Sequence, residues 1–148
     1  MSRSMEILKV KTDKRKLGDF GERRAASYLF WRGYRILERN YVSDGTEVDL
    51  ICVKGDTLVF VEVKTRTLGS ESLKEPRPAS AVTPEKMQKI FRVASYYKAH
   101  KHTGKRMRFD IVEVLVNTGD GKRKVAKINH LVGAFDKDSA ASTSFKRY

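Results

Sequence analysis

Small and apolar residues return every three or four positions early in the chain. Leu17, Gly21, Ala25, Tyr28 and Leu29 fall on one stripe, which predicts an amphipathic helix over residues 17–31 that ends at Gly33. Beyond it the period shortens to two. Residues 34–42 fit a first strand, followed by the turn residues Ser43, Asp44 and Gly45. Residues 47–53 and 57–65 are rich in Val, Ile, Leu and Phe and are separated by Gly55-Asp56. Gly followed by Asp between two such runs signals a two-residue hairpin, with Gly supplying the positive φ of a type II′ turn. Residues 67–80 are polar, carry Pro76 and Pro78, and read as a long loop poised to close over a site. Thr83-Pro84-Glu85 then opens a second helix, with Thr as N-cap, Pro at the first helical position and an acid in the first turn. Met87, Ile90, Phe91, Ala94 and Tyr97 mark its buried face as far as about residue 99, and residues 106–116 and 125–131 fit two further strands. Helix, three strands, helix, strand is the order of an α/β fold with a mixed sheet flanked by helices.

The hairpin makes a geometric prediction. With Gly55-Asp56 as the loop, Lys54 faces Thr57, and every later pair keeps the same sum of residue numbers. Asp49 then opposes Glu62, and Glu47 opposes Lys64. Opposed residues point to one face with Cβ atoms about 4.5–5.5 Å apart, so Asp49 and Glu62 converge with Lys64 two positions along. Ile51, Val53, Leu58 and Phe60 share that face. Two carboxylates beside such neighbours repel one another and resist desolvation until something positive joins them. Oxygen-only donors on a rigid sheet suit Mg²⁺ or Mn²⁺. Glu22 lies at the edge of the small and apolar helix face, where it can aim at the same cation. The competing structural reading makes Glu47–Lys64 and Asp49–Lys64 ordinary cross-strand ion pairs on a solvated surface, with Lys54 and Arg66 sharing the charge. The apolar neighbours argue against it.

Composition sharpens the picture. The 148 residues fit one domain, at 40% hydrophobic and 33% charged. Residues 17–137 are expected to form it, between a flexible basic arm at residues 1–16 and a disordered tail at residues 138–148. Lys and Arg number 31 against 18 acids, a formal +13. A domain this basic repels itself until a polyanion offsets the charge, and nucleic acid is the commonest such partner. Lys14, Arg15, Lys16, Lys54, Arg66, Lys86 and Lys89 are the candidates for holding its backbone without regard to sequence. No apolar run is long enough for a membrane span. Cys52 is alone, so an internal disulfide is excluded and a reducing cytoplasm is the expected setting. His100, His102 and His130 lack zinc spacing, neither a P-loop nor a dinucleotide Gly motif is present, and no Ser is paired with a His in a hydrolase pattern. Trp31, near the end of the first helix, is read as packing rather than recognition.

Asp, a hairpin, then Glu-x-Lys on the next strand is the order of the PD-(D/E)XK nuclease motif. Gly18-Asp19-Phe20-Gly21-Glu22 with Ala25, Ala26, Tyr28 and Leu29, then Glu38-Arg39-Asn40-Tyr41, resemble the YraN-like family of predicted endonucleases. So do Glu47-Val48-Asp49-Leu50-Ile51, Phe60-Val61-Glu62-Val63-Lys64-Thr65-Arg66, Ala81-Val82-Thr83 with Lys86, and Arg108-Phe109-Asp110. The resemblance runs from about residue 16 to residue 135. It implies a restriction-endonuclease-like core closest in layout to archaeal Holliday-junction resolvases, Mg²⁺-dependent hydrolysis of DNA, and a structured or branched substrate. Glu22, Asp49 and Glu62 become metal-site acids by that analogy, with the Val63 carbonyl as a further ligand and Lys64 as the catalytic lysine. A homodimer is an open expectation of the same analogy. A non-catalytic nucleic-acid binder that keeps the fold is the alternative. One departure stands out: Thr46 occupies a position where the family usually has Gly, with Gly45 one position earlier. A changed turn there is expected to tilt Glu47 or Asp49.

Overall fold

The structure, a computed structural model, describes residues 2–69, 82–101 and 104–136. Helix α1 (Arg3–Phe30) leads into strands β1 (Arg35–Ser43), β2 (Thr46–Lys54) and β3 (Thr57–Thr67). Helix α2 (Pro84–Lys101) and strands β4 (Arg106–Asn117) and β5 (Lys124–Phe135) follow. The strands form one sheet in the order β1-β2-β3-β4-β5. Only β3 and β4 run parallel, with α2 between them in the chain; the other three pairings are antiparallel. The helices cover opposite faces. Ile51, Val53, Leu58 and Phe60 pack with Met87, Ile90, Val93, Ala94 and Tyr97 of α2. Leu50, Cys52, Val59 and Val61 pack with Ala25, Ala26 and Leu29 of α1. Coverage on both sides explains why β2 and β3 read as continuous apolar runs rather than alternating ones. A mixed sheet between two helices is consistent with a restriction-endonuclease-like fold. No helix among the described residues is long and apolar enough to cross a membrane.

The turns follow the local chemistry. Gly55 takes φ 59° in the β2–β3 hairpin, and the ladder from Lys54↔Thr57 to Leu50↔Val61 keeps the predicted register. Asp44 (φ 49°) and Gly45 (φ 71°) turn β1 into β2 with two positive φ values, as a type I′ hairpin needs. Thr46 therefore enters the strand directly, buried and paired with Ser43. The Thr83 hydroxyl accepts from the Lys86 amide (3.2 Å) at the start of α2.

Residues 3–16 depart from the flexible arm expected of them: α1 begins at Arg3. Ser2 caps it by accepting from the Met5 amide at 3.3 Å, and no Gly or Pro interrupts the chain before Gly18. Lys, Arg, Leu and Met carry little helix penalty, so the helix extends outward from its packed half with every residue from Ser2 to Lys16 exposed. Trp31 also departs from expectation. It is 80% exposed rather than packed. The proposed tail at residues 138–148 and most of the proposed loop at 67–80 lie outside the described residues.

On the α1 side, Asp110 is fully buried. It accepts two hydrogen bonds from the Arg108 guanidinium (both 2.9 Å), one from the Gly133 amide (3.0 Å), and meets His130 Nε2 at 2.7 Å. Arg108 also donates to the Tyr34 hydroxyl at 2.8 Å. Burial alone raises the Asp110 pKa, but the bonds from His130, Arg108 and Gly133 outweigh it and hold the carboxyl below its usual range. Through Tyr34 this network ties β4 and β5 to the turn between α1 and β1.

Candidate metal centre

The acids gather where the sheet loses its regular alternation. Val48 and Leu50 are two apart on β2 and should share a face. Instead Val48 packs with the α2 cluster and Leu50 with the α1 cluster. The pairing with β1 passes from Arg39↔Leu50 to Tyr41↔Val48, leaving Asn40 beside Asp49, and Asn40 has φ 50°. Asn is among the few residues that tolerate this conformation. Asp49 thus lies at the seam between the two faces rather than alongside Ile51 and Val53, as simple alternation had it. At this seam it is reached from α1 by Glu22 and from α2 by Lys86.

Glu22, Glu47 and Asp49 each place a carboxylate oxygen within 4.8 Å of the others. The Asn40 side chain, turned so that its nitrogen faces them, donates to Glu22 Oε2 (2.9 Å) and Glu47 Oε1 (3.0 Å). Asp49 Oδ2 accepts from the Val63 amide at 2.8 Å, which fixes its carboxylate against β3. Glu62 is 3% exposed. Its Oε2 meets Lys86 Nζ at 2.9 Å, while its buried Oε1 has no hydrogen-bond partner among the described residues.

The electrostatics record a shortage of positive charge. Burial, followed by the fields of Asp49, Glu47 and Asp19, pushes Glu22 up to about 7 against the pull of Asn40. Burial and Asp49 push Glu62 up to about 7 despite Lys86 and Lys64. Burial also raises Asp49, with the Val63 amide, Lys86 and Lys64 opposing and Glu47 adding to it. Burial disfavours the Lys86 charge, but its bond to Glu62 and the fields of Glu62, Asp49 and Glu47 carry its pKa above the ordinary lysine value. Hard oxygen donors with unbalanced negative charge give Glu22, Glu47 and Asp49 the makeup of a divalent-cation site, and the field of Asp49 reaches Glu62. Lys64, half-buried beside them, contributes its field to both Asp49 and Glu62.

The remaining predicted residues spread out. Lys14, Arg15 and Lys16 are exposed on the outer half of α1, and Lys89 is exposed on α2. Lys86 belongs to the acid cluster itself. Lys54 lies at the far end of β2, donates to the Arg32 carbonyl and sits 4.8 Å above the Tyr34 ring. Arg66 is buried, with Nε 3.5 Å from Glu113, which withdraws it from the surface. At Val63 it is the amide that meets Asp49. Glu47 and Asn40 escaped the sequence reading. Glu47 is placed opposite Lys64 by the register and given no metal role there, although its position two residues before Asp49 on one strand is the available signal. Asn40 gave none beyond its presence inside a strand.

The profile of the family described as "Uncharacterised protein family UPF0102" matches residues 21–114. A UPF0102 protein of Syntrophomonas wolfei is 44% identical over 122 residues, covering 82% of this chain and 98% of the relative. One from Caldanaerobacter subterraneus is 41% identical over 126 residues, covering 84% and 98%. One from Caldicellulosiruptor saccharolyticus is 43% identical over 124 residues, covering 83% and 99%.

Proposed function

The chain belongs to UPF0102, the YraN-like group its motifs resemble, and from that membership we propose that it is a divalent-metal-dependent nuclease hydrolysing phosphodiester bonds in DNA. The observation that carries this reading is the convergence of Glu22, Glu47 and Asp49. Mg²⁺ or Mn²⁺ bound there supplies Lewis acidity toward a phosphoryl oxygen and acidifies water.

The chain's own groups have separable tasks. The Val63 amide and the Asn40 side chain hold Asp49, Glu22 and Glu47 in fixed orientations, so the donors need little rearrangement on loading. Lys86 anchors Glu62 and offsets its charge. Lys64 orients the attacking water and neutralises the charge that develops on the phosphate oxygens. Hydrolysis forms one P–O bond from water and breaks the other to the ester oxygen, which leaves with a proton. The excess of 31 basic over 18 acidic residues supports a polyanionic substrate.

The Lys86–Glu62 ion pair is the one observation that favours a non-catalytic binder, because it places a resident cation at the acids. Assays of branched, flapped and linear DNA with Mg²⁺ or Mn²⁺ separate the readings. Cleavage that EDTA, Asp49→Ala and Lys64→Ala each abolish supports the nuclease. Equal cleavage by Asp49→Ala removes it, and DNA binding without cleavage leaves the binder.

A further inference from the structure

We propose that a groove running from the acid cluster along α1 and β1 binds a single strand of DNA, with Arg23, Arg35 and Arg39 on its phosphates and its bases stacked on Phe30 and Trp31. The inference rests on the nuclease reading for where the strand leads, not for whether it binds.

Two hollows form the track. One of about 270 Å³ is lined by Asp19, Glu22, Arg23, Arg39, Asn40 and Leu50, and so opens on the acids. The next, of about 710 Å³, is lined by Arg23, Arg39, Arg35 and Phe30. Arg23 and Arg39 line both, so the two abut. All three arginines are exposed, and among the described residues none takes part in an ion pair, in contrast to Arg66 and Arg108. Planar guanidinium groups in a row are suited to phosphate.

The far end carries the second kind of contact. Phe30 and Trp31 are 61% and 80% exposed and meet edge to face, with centroids 5.5 Å apart at 81°. Two large aromatic rings left in water beside unpaired arginines match what an unpaired strand needs: cations along the backbone and π faces for its bases. A duplex turns its bases inward and has no face to offer them. The groove therefore favours DNA in which a single-stranded segment adjoins the phosphate at the acids, such as a flap or an opened branch. None of these five residues is needed to hold the metal-site carboxylates.

Trp31 is the only tryptophan in the 148 residues and meets Phe30, which lines the second hollow, so its emission reports on that end of the groove. The full chain is titrated in EDTA with oligothymidylate and with a blunt duplex of equal length, reading Trp31 emission and the anisotropy of labelled DNA. The single strand is expected to quench Trp31 and the duplex to do so far less. Phe30→Ala should weaken single-strand binding about tenfold. Arg23→Ala with Arg39→Ala should weaken it at least as much and lower the salt slope by about 1.4, at about 0.7 per lost phosphate contact. Lys122→Ala with Arg123→Ala, which removes two exposed charges elsewhere, is the control. Saturating DNA that leaves Trp31 emission unchanged, an arginine pair no different from the control pair, or equal quenching by an acidic peptide would overturn the proposal. Quenching without any metal-dependent cleavage sinks the nuclease reading alone; metal-dependent duplex cleavage without quenching sinks the groove alone.

Discussion

Gly21 is where α1 comes closest to the sheet, and replacing it with Ala tests how the helix is held. A Cβ built at Gly21 meets Thr65 Oγ1 at 1.8 Å and Thr65 Cβ and Cγ2 at 2.8 Å. Rotating the threonine about χ1 moves Oγ1 and Cγ2 but leaves Cβ at 2.8 Å, still inside the contact limit. Backbone must therefore move, by roughly the ångström or more that separates such a contact from ordinary packing. Overpacking of this kind costs about 1–3 kcal/mol, against about 1 kcal/mol gained from exchanging Gly for Ala inside a helix. The expected net effect lies between no change and a loss of about 2 kcal/mol, a fall in Tm of up to roughly 8 °C for a chain of this length. Urea and thermal unfolding of the parent, Gly21→Ala, Thr65→Ala and the double variant measure it. Removing Oγ1 and Cγ2 should make the double variant more stable than the sum of its parts by about 1 kcal/mol. A Gly21→Ala protein more stable than the parent by about 1 kcal/mol would show that the helix propensity gain meets no steric opposition, and the close approach would be refuted. Glu22 is the next residue, so the same shift should loosen Mg²⁺ binding.

Two further outcomes can be checked on the metal-free protein. Glu22 and Glu62 hold their protons more tightly in the folded chain, at about 7, than at the ordinary 4.5. Their contribution to stability is therefore full below about 4.5 and declines as pH rises to about 7, and Glu62→Gln should flatten that decline in urea unfolding measured in EDTA across the range. An unchanged slope in the variant would contradict the assignment. Asp110→Ala leaves Arg108 and His130 facing a buried gap and should cost about 3–5 kcal/mol in the same assay; a loss below about 1 kcal/mol would mean the network carries little.

Much of the fold was legible because short-range chemistry decided it. Gly55-Asp56 fixed the hairpin register, and Thr83-Pro84 fixed the start of α2, since each depends on neighbours in the chain. The ladder ends at Leu50↔Val61, short of the expected pairing of Asp49 with Glu62, and Asp49 accepts from the Val63 amide. Alternation failed at Asp49 because the left-handed Asn40 sits on the neighbouring strand, and no local signal in β2 reports it. Glu47 did carry a signal, its place two residues before Asp49 on the same strand. The outer half of α1 was misread because charge density suggested an extended arm, whereas continuous helix formers without a breaker carried the helix outward. The fates of Arg66 and Lys54 depend on Glu113 and on the end of α1, which are distant in sequence. Trp31 looked like packing because aromatic residues near helix ends often are, and its exposure is a tertiary outcome.

The two outer strands share a property that bears on life at high concentration. β1 loses step near residue 37 and carries the left-handed Asn40, while the pairing of β5 with β4 slips between Phe109 and Ile111, near Gly133 at φ 61°. An incoming chain seeking to lengthen the sheet from either side would find its ladder of amides and carbonyls interrupted within a few residues. Broken borders of this sort discourage runaway strand addition, and they keep one of those borders, β1, shaped for the groove it helps to line.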